Sequence, residues 1–134
     1  MGKDIYIGGR LGNSNLPFEE FAIELEGRGH RVLEKWWRKG RLIKPYLQNI
    51  ETSRPASVAM VNAAWSSDVS ILFNAEDILG AAIEFGVALG NTKVNQSKEV
   101  IVVHPPEMRE SVFYAHPAVI VVEGLAQVRE MHWY

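Results

Sequence analysis

The sequence predicts an α/β fold in which helices cover both faces of a five-stranded parallel sheet. Short apolar segments alternate along the chain with longer segments of helical periodicity, which is the pattern of a doubly wound sheet. Two of the apolar segments, Val100–Val103 and Val119–Val122, contain only Val and Ile, as strands that are buried on both faces do. The 134 residues are predicted to form a single domain over positions 1–134.

The composition is typical of a folded protein, with 47% hydrophobic and 22% charged residues. The absence of Cys excludes disulfides, thiolate metal sites and Cys nucleophiles, and it fits a reducing compartment. No apolar run reaches the length of a membrane span, and the first residues lack a signal-peptide core. We therefore expect a cytoplasmic protein with no membrane partner.

Charge is distributed unevenly along the chain. Residues 1–67 hold 10 Lys/Arg and 7 Asp/Glu, a balance of +3, whereas residues 68–134 hold 4 and 9, a balance of −5. The basic residues are concentrated only around Arg38–Lys44, which is typical of a solvated loop rather than of a nucleic-acid grip. We expect no polymeric nucleic acid as a partner.

The first half of the chain contains two predicted strands and two predicted helices. They are a strand at Lys3–Gly8, a helix from Pro17 to Gly27, a strand at His30–Trp36 and a helix at Pro55–Trp65. A glycine-rich turn, Gly8–Asn13, follows the first strand, and Ser14 or Asn15 could cap the first helix. Residues 37–53 are predicted to be a loop with short helical turns over the site.

The second half continues the alternation. Its predicted elements are a strand at Asp68–Phe73, a helix at Ile78–Leu89, the strands Val100–Val103 and Val119–Val122, and a closing helix at Gly124–His132. Five such strands most often take the flavodoxin-like order 2-1-3-4-5, in which ligands bind at the carboxyl ends of strands 1 and 3. The loops there are Gly8–Asn13 and Asn74–Gly80.

Several residues near these loops have side chains suited to chemistry. Glu84 lies seven residues after Asp77, so both side chains would point the same way from a helix. Gly80 leaves room for a ligand beside them, and Gly8-Gly9-Arg10 could hold an anion. Each of these residues also has a structural explanation: Glu84 as a solvated helix carboxylate, and the glycines as a tight turn. The same holds for two further polar residues, Asp68 as a helix cap and Tyr6 as a core tyrosine. The four histidines (His30, His104, His116, His132) lack metal-ligand spacing.

Three segments together resemble the nucleoside 2-deoxyribosyltransferase superfamily, which includes nucleotide N-glycoside hydrolases. They are Ile5-Tyr6-Ile7-Gly8-Gly9, Ser67-Asp68-Val69, and the stretch from Asp77 through Glu84-Phe85-Gly86-Val87-Ala88-Leu89. The resemblance implies that Glu84 is the nucleophile at C1′ of the sugar, that Tyr6 orients Glu84, and that Asp68 assists protonation of the departing base. It implies no metal and no organic cofactor.

The resemblance leaves the 5′ end of the substrate undecided. Asp77 is seven residues before Glu84, whereas the family's acid that holds the 5′-hydroxyl is six before. Arg10 stands where transferases tend to carry an aromatic residue, and Ser111 matches a position where a neighbouring subunit reaches the 5′ end. The enzyme implied is therefore a nucleoside deoxyribosyltransferase or a 5′-monophosphate nucleotide N-glycosidase, acting as a homo-oligomer with shared active sites.

The sequence is also compatible with two functions that are not enzymatic. The same scaffold could be a non-catalytic module that binds nucleotides. It could also be a structural module whose paired aromatics, Trp36-Trp37 and Trp133-Tyr134, form an oligomer interface.

Overall fold

The structure, a computed structural model, describes residues 2–11 and 17–134. Its centre is one sheet of five parallel strands in the order β2-β1-β3-β4-β5. The strands are β1 at Asp4–Gly8, β2 at Arg31–Leu33, β3 at Val69–Phe73, β4 at Glu99–Val103 and β5 at Val119–Val122. The predicted fold class and strand order are confirmed. The predicted caps Ser14 and Asn15, and the Gly12–Asn13 end of the glycine-rich turn, lie outside the described residues.

Four α-helices cover the sheet on both faces. They are α1 at Phe18–Gly27, α2 at Ile50–Ser66, α3 at Leu79–Asn91 and α4 at Leu125–Val128. The buried side of α1 and the buried Val128 of α4 share one core cluster. Helices α2 and α3 pack against each other and cover the opposite face of the sheet. No helix in the described part of the chain has both the length and the apolar character needed to cross a membrane.

Side chains along β1 point alternately to the two faces of the sheet, and each face has its own core cluster. Ile5 and Ile7 are fully buried in the cluster that contains the buried side of α1. Tyr6, between them, points to the other face and packs with Ala63 and Ala64 of α2. The strand therefore directs one polar tip, the Tyr6 hydroxyl, into the layer formed by α2 and α3.

The carboxyl ends of the strands meet at one edge of the sheet, as in any parallel sheet. Gly8 at the end of β1 pairs with Leu72 of β3, and the backbone N–H of Asn74 donates to the carbonyl of Val103 at 3.0 Å. The chain leaves β1 toward α1 on one face and β3 toward α3 on the other. A crevice is expected where the connections diverge in this way.

Two elements in the first half differ from their predicted limits. Strand β2 ends at Leu33 rather than Trp36, because Glu34 turns to φ 45° and a 3₁₀ turn follows at Trp36–Lys39. Helix α2 begins five residues before the predicted start and includes Pro55. Proline has no N–H to donate, so the helix gives up one backbone hydrogen bond there and continues.

The last predicted helix is also shorter than expected. Helix α4 ends at Val128, and turns replace the rest of the predicted Gly124–His132 helix. Strands β4 and β5 are joined through a 3₁₀ turn at Val112–Ala115 instead of an α-helix. The outer strand β5 is consequently half-covered, with Ile120 exposed by 40% and Val121 by 46%.

The paired aromatics are packed rather than displayed. Trp36, Trp37 and Tyr134 lie against the first core cluster, and Trp133 is buried within it. The paired aromatics therefore contribute to the core of this domain. The apolar side of α2 is only partly covered. Ala64 is buried, but the other three residues of that side are exposed by 39% to 54%: Val58, Val61 and Trp65.

Candidate active site

A tyrosine and a glutamate meet at the core of the site. Tyr6 projects from the middle of β1 and is only 1% exposed, and Glu84 lies on α3 above the same face of the sheet. The Tyr6 hydroxyl donates a hydrogen bond of 2.5 Å to Oε1 of Glu84. The sequence separation of 78 residues is closed by the parallel pairing of β1 with β3, which is followed by α3.

Burial governs the protonation of both groups. It raises the pKa of Tyr6 strongly, with the charge of Glu84 adding to the effect, so the phenol remains a hydrogen-bond donor at any physiological pH. Burial also raises the pKa of Glu84, while the hydrogen bond from Tyr6 lowers it. The result is a partly desolvated carboxylate with one oxygen held by Tyr6. Such a group is suited to act as a nucleophile or a base.

Two glycines at the end of β1, Gly8 and Gly9, are required for different structural reasons. A Cβ built on Gly8 would lie 3.6 Å from Oε1 of Glu84, which is ordinary contact and shows how near the backbone is to the carboxylate. A Cβ on Gly9 would lie 2.6 Å from Cζ of Phe18. Gly9 is therefore required by the packing of Phe18 beneath the turn, and Gly8 is the glycine that borders the carboxylate.

Arg10 and Asp77 join the two loops predicted to flank the crevice. Nη1 of Arg10 lies 3.4 Å from Oδ2 of Asp77 and 3.4 Å from the carbonyl oxygen of Glu76. Both side chains are exposed, and Asp77 has φ 54°. By its charge alone, Arg10 would attract a phosphate and Asp77 would repel it. In the structure each offsets the charge of its partner.

Gly80 and Ser111 lie near the carboxyl edge of the sheet. Gly80 is the second residue of α3, and a Cβ built on it would meet nothing within 4 Å, so the space beside it is open. Oγ of Ser111 accepts a hydrogen bond of 3.3 Å from the backbone N–H of Phe113 and caps the 3₁₀ turn. The predicted reach of Ser111 is to a neighbouring subunit's site and stays a prediction.

Asp68 is not brought to Glu84. It precedes β3, at the amino edge of the sheet, where its Oδ2 accepts a 2.8 Å hydrogen bond from the backbone N–H of Asp4. Gly8, beside Glu84, is four strand positions further on, which is about 13 Å along the sheet. The charge of Asp68 instead acts on Arg31 and Lys98 at its own edge.

A buried polar cluster at the carboxyl edge was not predicted from the sequence. Asn74, directly after β3, is 5% exposed, and its side chain contacts His104, Tyr114 and the backbone of Arg109. A polar residue that immediately follows a buried strand was the available signal. Its three partners are 30 to 40 residues away in sequence, so their convergence could not be predicted.

Metal-ligating side chains do not cluster in the part of the chain that the structure describes: no three His, Asp or Glu residues are arranged to hold an ion.

Comparison with known proteins gives the fold a reference. No protein-family model matches the chain, and no curated protein sequence matches it. One solved structure with the same fold is that of the CMP N-glycosidase BcmB of Clostridium botulinum, with a TM-score of 0.64. The match covers 96% of this chain and 100% of that chain at 14% sequence identity. The likeness confirms the predicted architecture over nearly the whole chain.

Proposed function

We propose that the protein cleaves the N-glycosidic bond of nucleosides or nucleotides, with Glu84 as the nucleophile. The observation that carries the proposal is the hydrogen bond between Tyr6 and the partly buried Glu84 at the switch-point crevice. The fold shared with a CMP N-glycosidase supports it, as do the sequence motifs that contain these two residues.

The proposed reaction is a double displacement at C1′. The free oxygen of Glu84 attacks C1′ as the bond from C1′ to the base nitrogen breaks, and the base leaves with the bonding electrons and takes a proton. Water, or a second base, then attacks C1′ of the glycosyl ester and releases Glu84. Dividing a difficult substitution into two steps is the logic of retaining glycosidases. Tyr6 holds Glu84 in position and remains protonated throughout.

Asp68 has no role in this chemistry as we propose it. Its position at the amino edge separates it from Glu84, so we propose that solvent water supplies the proton for the base.

Arg10 is the proposed contact for an anionic 5′ group. It lies on the loop that follows Gly8 and Gly9 and is already held by Asp77 through Nη1, while none of the described residues accepts a hydrogen bond from its Nη2 or Nε, which could bind an oxyanion. This favours 5′-monophosphates over nucleosides as substrates. Gly80 borders the open space at the start of α3 through which the sugar would approach.

A homo-oligomer is proposed for the assembled enzyme. The exposed apolar side chains of α2 continue onto α3, where Leu79 is exposed by 80% and Ile83 by 59%, and the two helices pack side by side. A second copy is the expected occupant of this surface, and Ser111 of that copy would complete the site. Light scattering of the wild type and of Trp65→Glu tests this, because a charge at the interface should give monomers.

The test of function is liquid chromatography of cytidine, CMP and their 2′-deoxy forms after incubation with the protein. We expect release of free base, fastest from the monophosphates, and loss of release in Glu84→Gln. Glu130→Gln is the matched control, because Glu130 is exposed and follows α4, which packs on the face of the sheet opposite to α3. Adding a second free base separates the two reaction types: an exchanged product indicates a transferase, and base release alone indicates a hydrolase.

The alternative is a non-catalytic nucleotide-binding module. The absence of Asp68 from the site favours it, since no second acid of the described residues touches Glu84. Binding of CMP that survives Glu84→Ala, together with no turnover of any nucleotide in the wild type, would establish this alternative. A glycosyl ester on the Glu84 peptide, detected by mass spectrometry after acid quench, would exclude it.

A further inference from the structure

The buried amide of Asn74 is hydrogen-bonded to three partners from different parts of the chain. Its Oδ1 accepts from the Tyr114 hydroxyl at 2.8 Å. Its Nδ2 donates to the carbonyl of Arg109 at 2.9 Å and to Nδ1 of His104 at 2.9 Å. An amide nitrogen has two hydrogens, and both are used.

The orientation of this amide follows from chemistry. The carbonyl of Arg109 can only accept, so the nitrogen of Asn74 must face it. The oxygen then faces Tyr114, whose hydroxyl can donate. The second hydrogen on the nitrogen points at Nδ1 of His104, which must therefore be an unprotonated acceptor. The remaining ring nitrogen, Nε2, carries the proton, so Asn74 sets the tautomer of His104.

His104 lies at the carboxyl edge of the sheet, where the crevice is expected. It directly follows β4, at the same edge of the sheet as Gly8 and Asn74. Its ring lies 5.9 Å from that of Tyr114, and the Tyr114 ring packs edge-on against Phe85, the neighbour of Glu84 on α3. His104 is partly exposed, and within the described residues no acceptor lies at its Nε2. An oriented, uncharged donor is thus left free on the α3 side of the carboxyl edge.

We propose that His104 Nε2–H donates a hydrogen bond to an acceptor oxygen of the substrate, and that Asn74 is the positioning residue that presents it. The inference rests on the proposed function for the identity of the substrate. The substrate would then be contacted from three elements of the fold: β1, α3 and the residue that follows β4. A neutral donor binds an oxygen without requiring a full countercharge, which suits a hydroxyl, carbonyl or phosphate oxygen.

The chain offers internal controls for a nuclear magnetic resonance test of the tautomer. It contains four histidines. Nδ1 of His30 accepts from the backbone N–H of Lys3, and Nδ1 of His116 accepts from that of Ala118, each at 3.0 Å. At about pH 8 a histidine of ordinary pKa is neutral. The ring nitrogen shifts of His30, His104 and His116 should therefore all show the form that carries its proton on Nε2.

Replacing the amide should change only one of these signals. In Asn74→Asp the carboxylate accepts where the amide donated, so it draws a proton onto Nδ1 of His104. We expect protonation at Nδ1 of His104 in this variant, with His30 and His116 unchanged. A wild-type His104 that already carries its proton on Nδ1, or a variant that leaves His104 unaltered, would overturn the role of Asn74.

Substrate contact is tested separately with CMP and Glu84→Gln protein, in which turnover is blocked. We expect CMP to shift the His104 signals and to leave those of His30 and His116 in place. In turnover assays His104→Phe should raise KM about 3- to 10-fold, the value of one hydrogen bond, with kcat little changed. His104→Gln, which keeps an N–H donor, should recover most of the loss.

The outcomes separate this inference from the proposed function. If CMP is hydrolysed but causes no shift at His104, the contact is refuted and the proposed function stands. If CMP shifts His104 but is not hydrolysed, the contact stands and the proposed function fails. If His104→Phe lowers kcat and unfolding temperature together without raising KM, His104 is only part of the core.

Discussion

Tyr6→Phe is the sharpest test of the site, because it removes one hydroxyl and leaves a ring that fits the same apolar pocket. The lost bond is a donor to a charged, partly buried carboxylate, worth about 1.5–3 kcal/mol. If that bond positions the nucleophile, kcat/KM should fall by about 10- to 150-fold. Base release from the preferred nucleotide measures it, and Tyr46→Phe, the same change at a half-exposed tyrosine, is the control.

The pH dependence of Tyr6→Phe follows from the balance at Glu84. Burial raises the pKa of Glu84 and the Tyr6 hydrogen bond lowers it, so removing the hydroxyl leaves burial unopposed and the pKa rises further. The folded protein then holds its proton to higher pH than the unfolded chain does. Folding stability therefore falls as pH rises from the ordinary glutamate value through the folded pKa, and falls further in the variant.

Two measurements would refute this reasoning. Unfolding by urea across about pH 4 to 8 should show the steeper loss for Tyr6→Phe, and the acid limb of the rate profile should move to higher pH. An unchanged acid limb with an unchanged kcat/KM would mean that the hydrogen bond neither tunes nor positions Glu84.

Three further changes test the packing and the edges of the sheet. Gly9→Ala should lower the free energy of unfolding, measured by urea titration, by about 1–3 kcal/mol because its Cβ would overlap Phe18. Gly86→Ala is the control: its Cβ would lie in open space on α3, so it should raise the free energy of unfolding by up to about 1 kcal/mol. Burial lowers the pKa of Lys98 to about 8. Between about pH 8 and 10.5 the folded protein therefore gives up a proton that the unfolded chain retains, so the free energy of unfolding should rise with pH. Lys98→Met should abolish this rise. Asp68→Asn keeps an acceptor for the Asp4 N–H, so base release should stay within about threefold of wild type, and a loss of a hundredfold would restore Asp68 to the chemistry.

The two strands made only of Val and Ile were predictable because their signal is local. Val100–Val103 and Val119–Val122 are apolar on both sides, and each is a strand within one residue of its predicted limits. The start of α2 was not predictable. Pro55 is a strong signal for the first turn of a helix, yet α2 begins at Ile50 and includes it.

The Tyr6–Glu84 pairing was expected from the sequence motifs, but its energetics were not. That burial and a single hydrogen bond oppose each other at Glu84 depends on how closely α2 and α3 cover β1. The position of Asp68 was not expected from the motifs, but it follows from the topology. A residue that precedes a parallel strand lies at the amino edge, whereas ligands bind at the carboxyl edge, so topology separates Asp68 from Glu84 despite their nearness in sequence.

The two edges of the sheet differ in how completely their polar groups are satisfied. At the amino edge the buried Lys98 uses all three of its N–H donors, two on carbonyls at the end of α2 and one on the Ser67 hydroxyl. At the carboxyl edge Glu84 has a partner at one oxygen, and His104 has one at a single ring nitrogen. Desolvating a polar group without a full set of partners costs free energy, which a bound ligand can return. The groups left incomplete lie on the side of the sheet where its topology places the substrate.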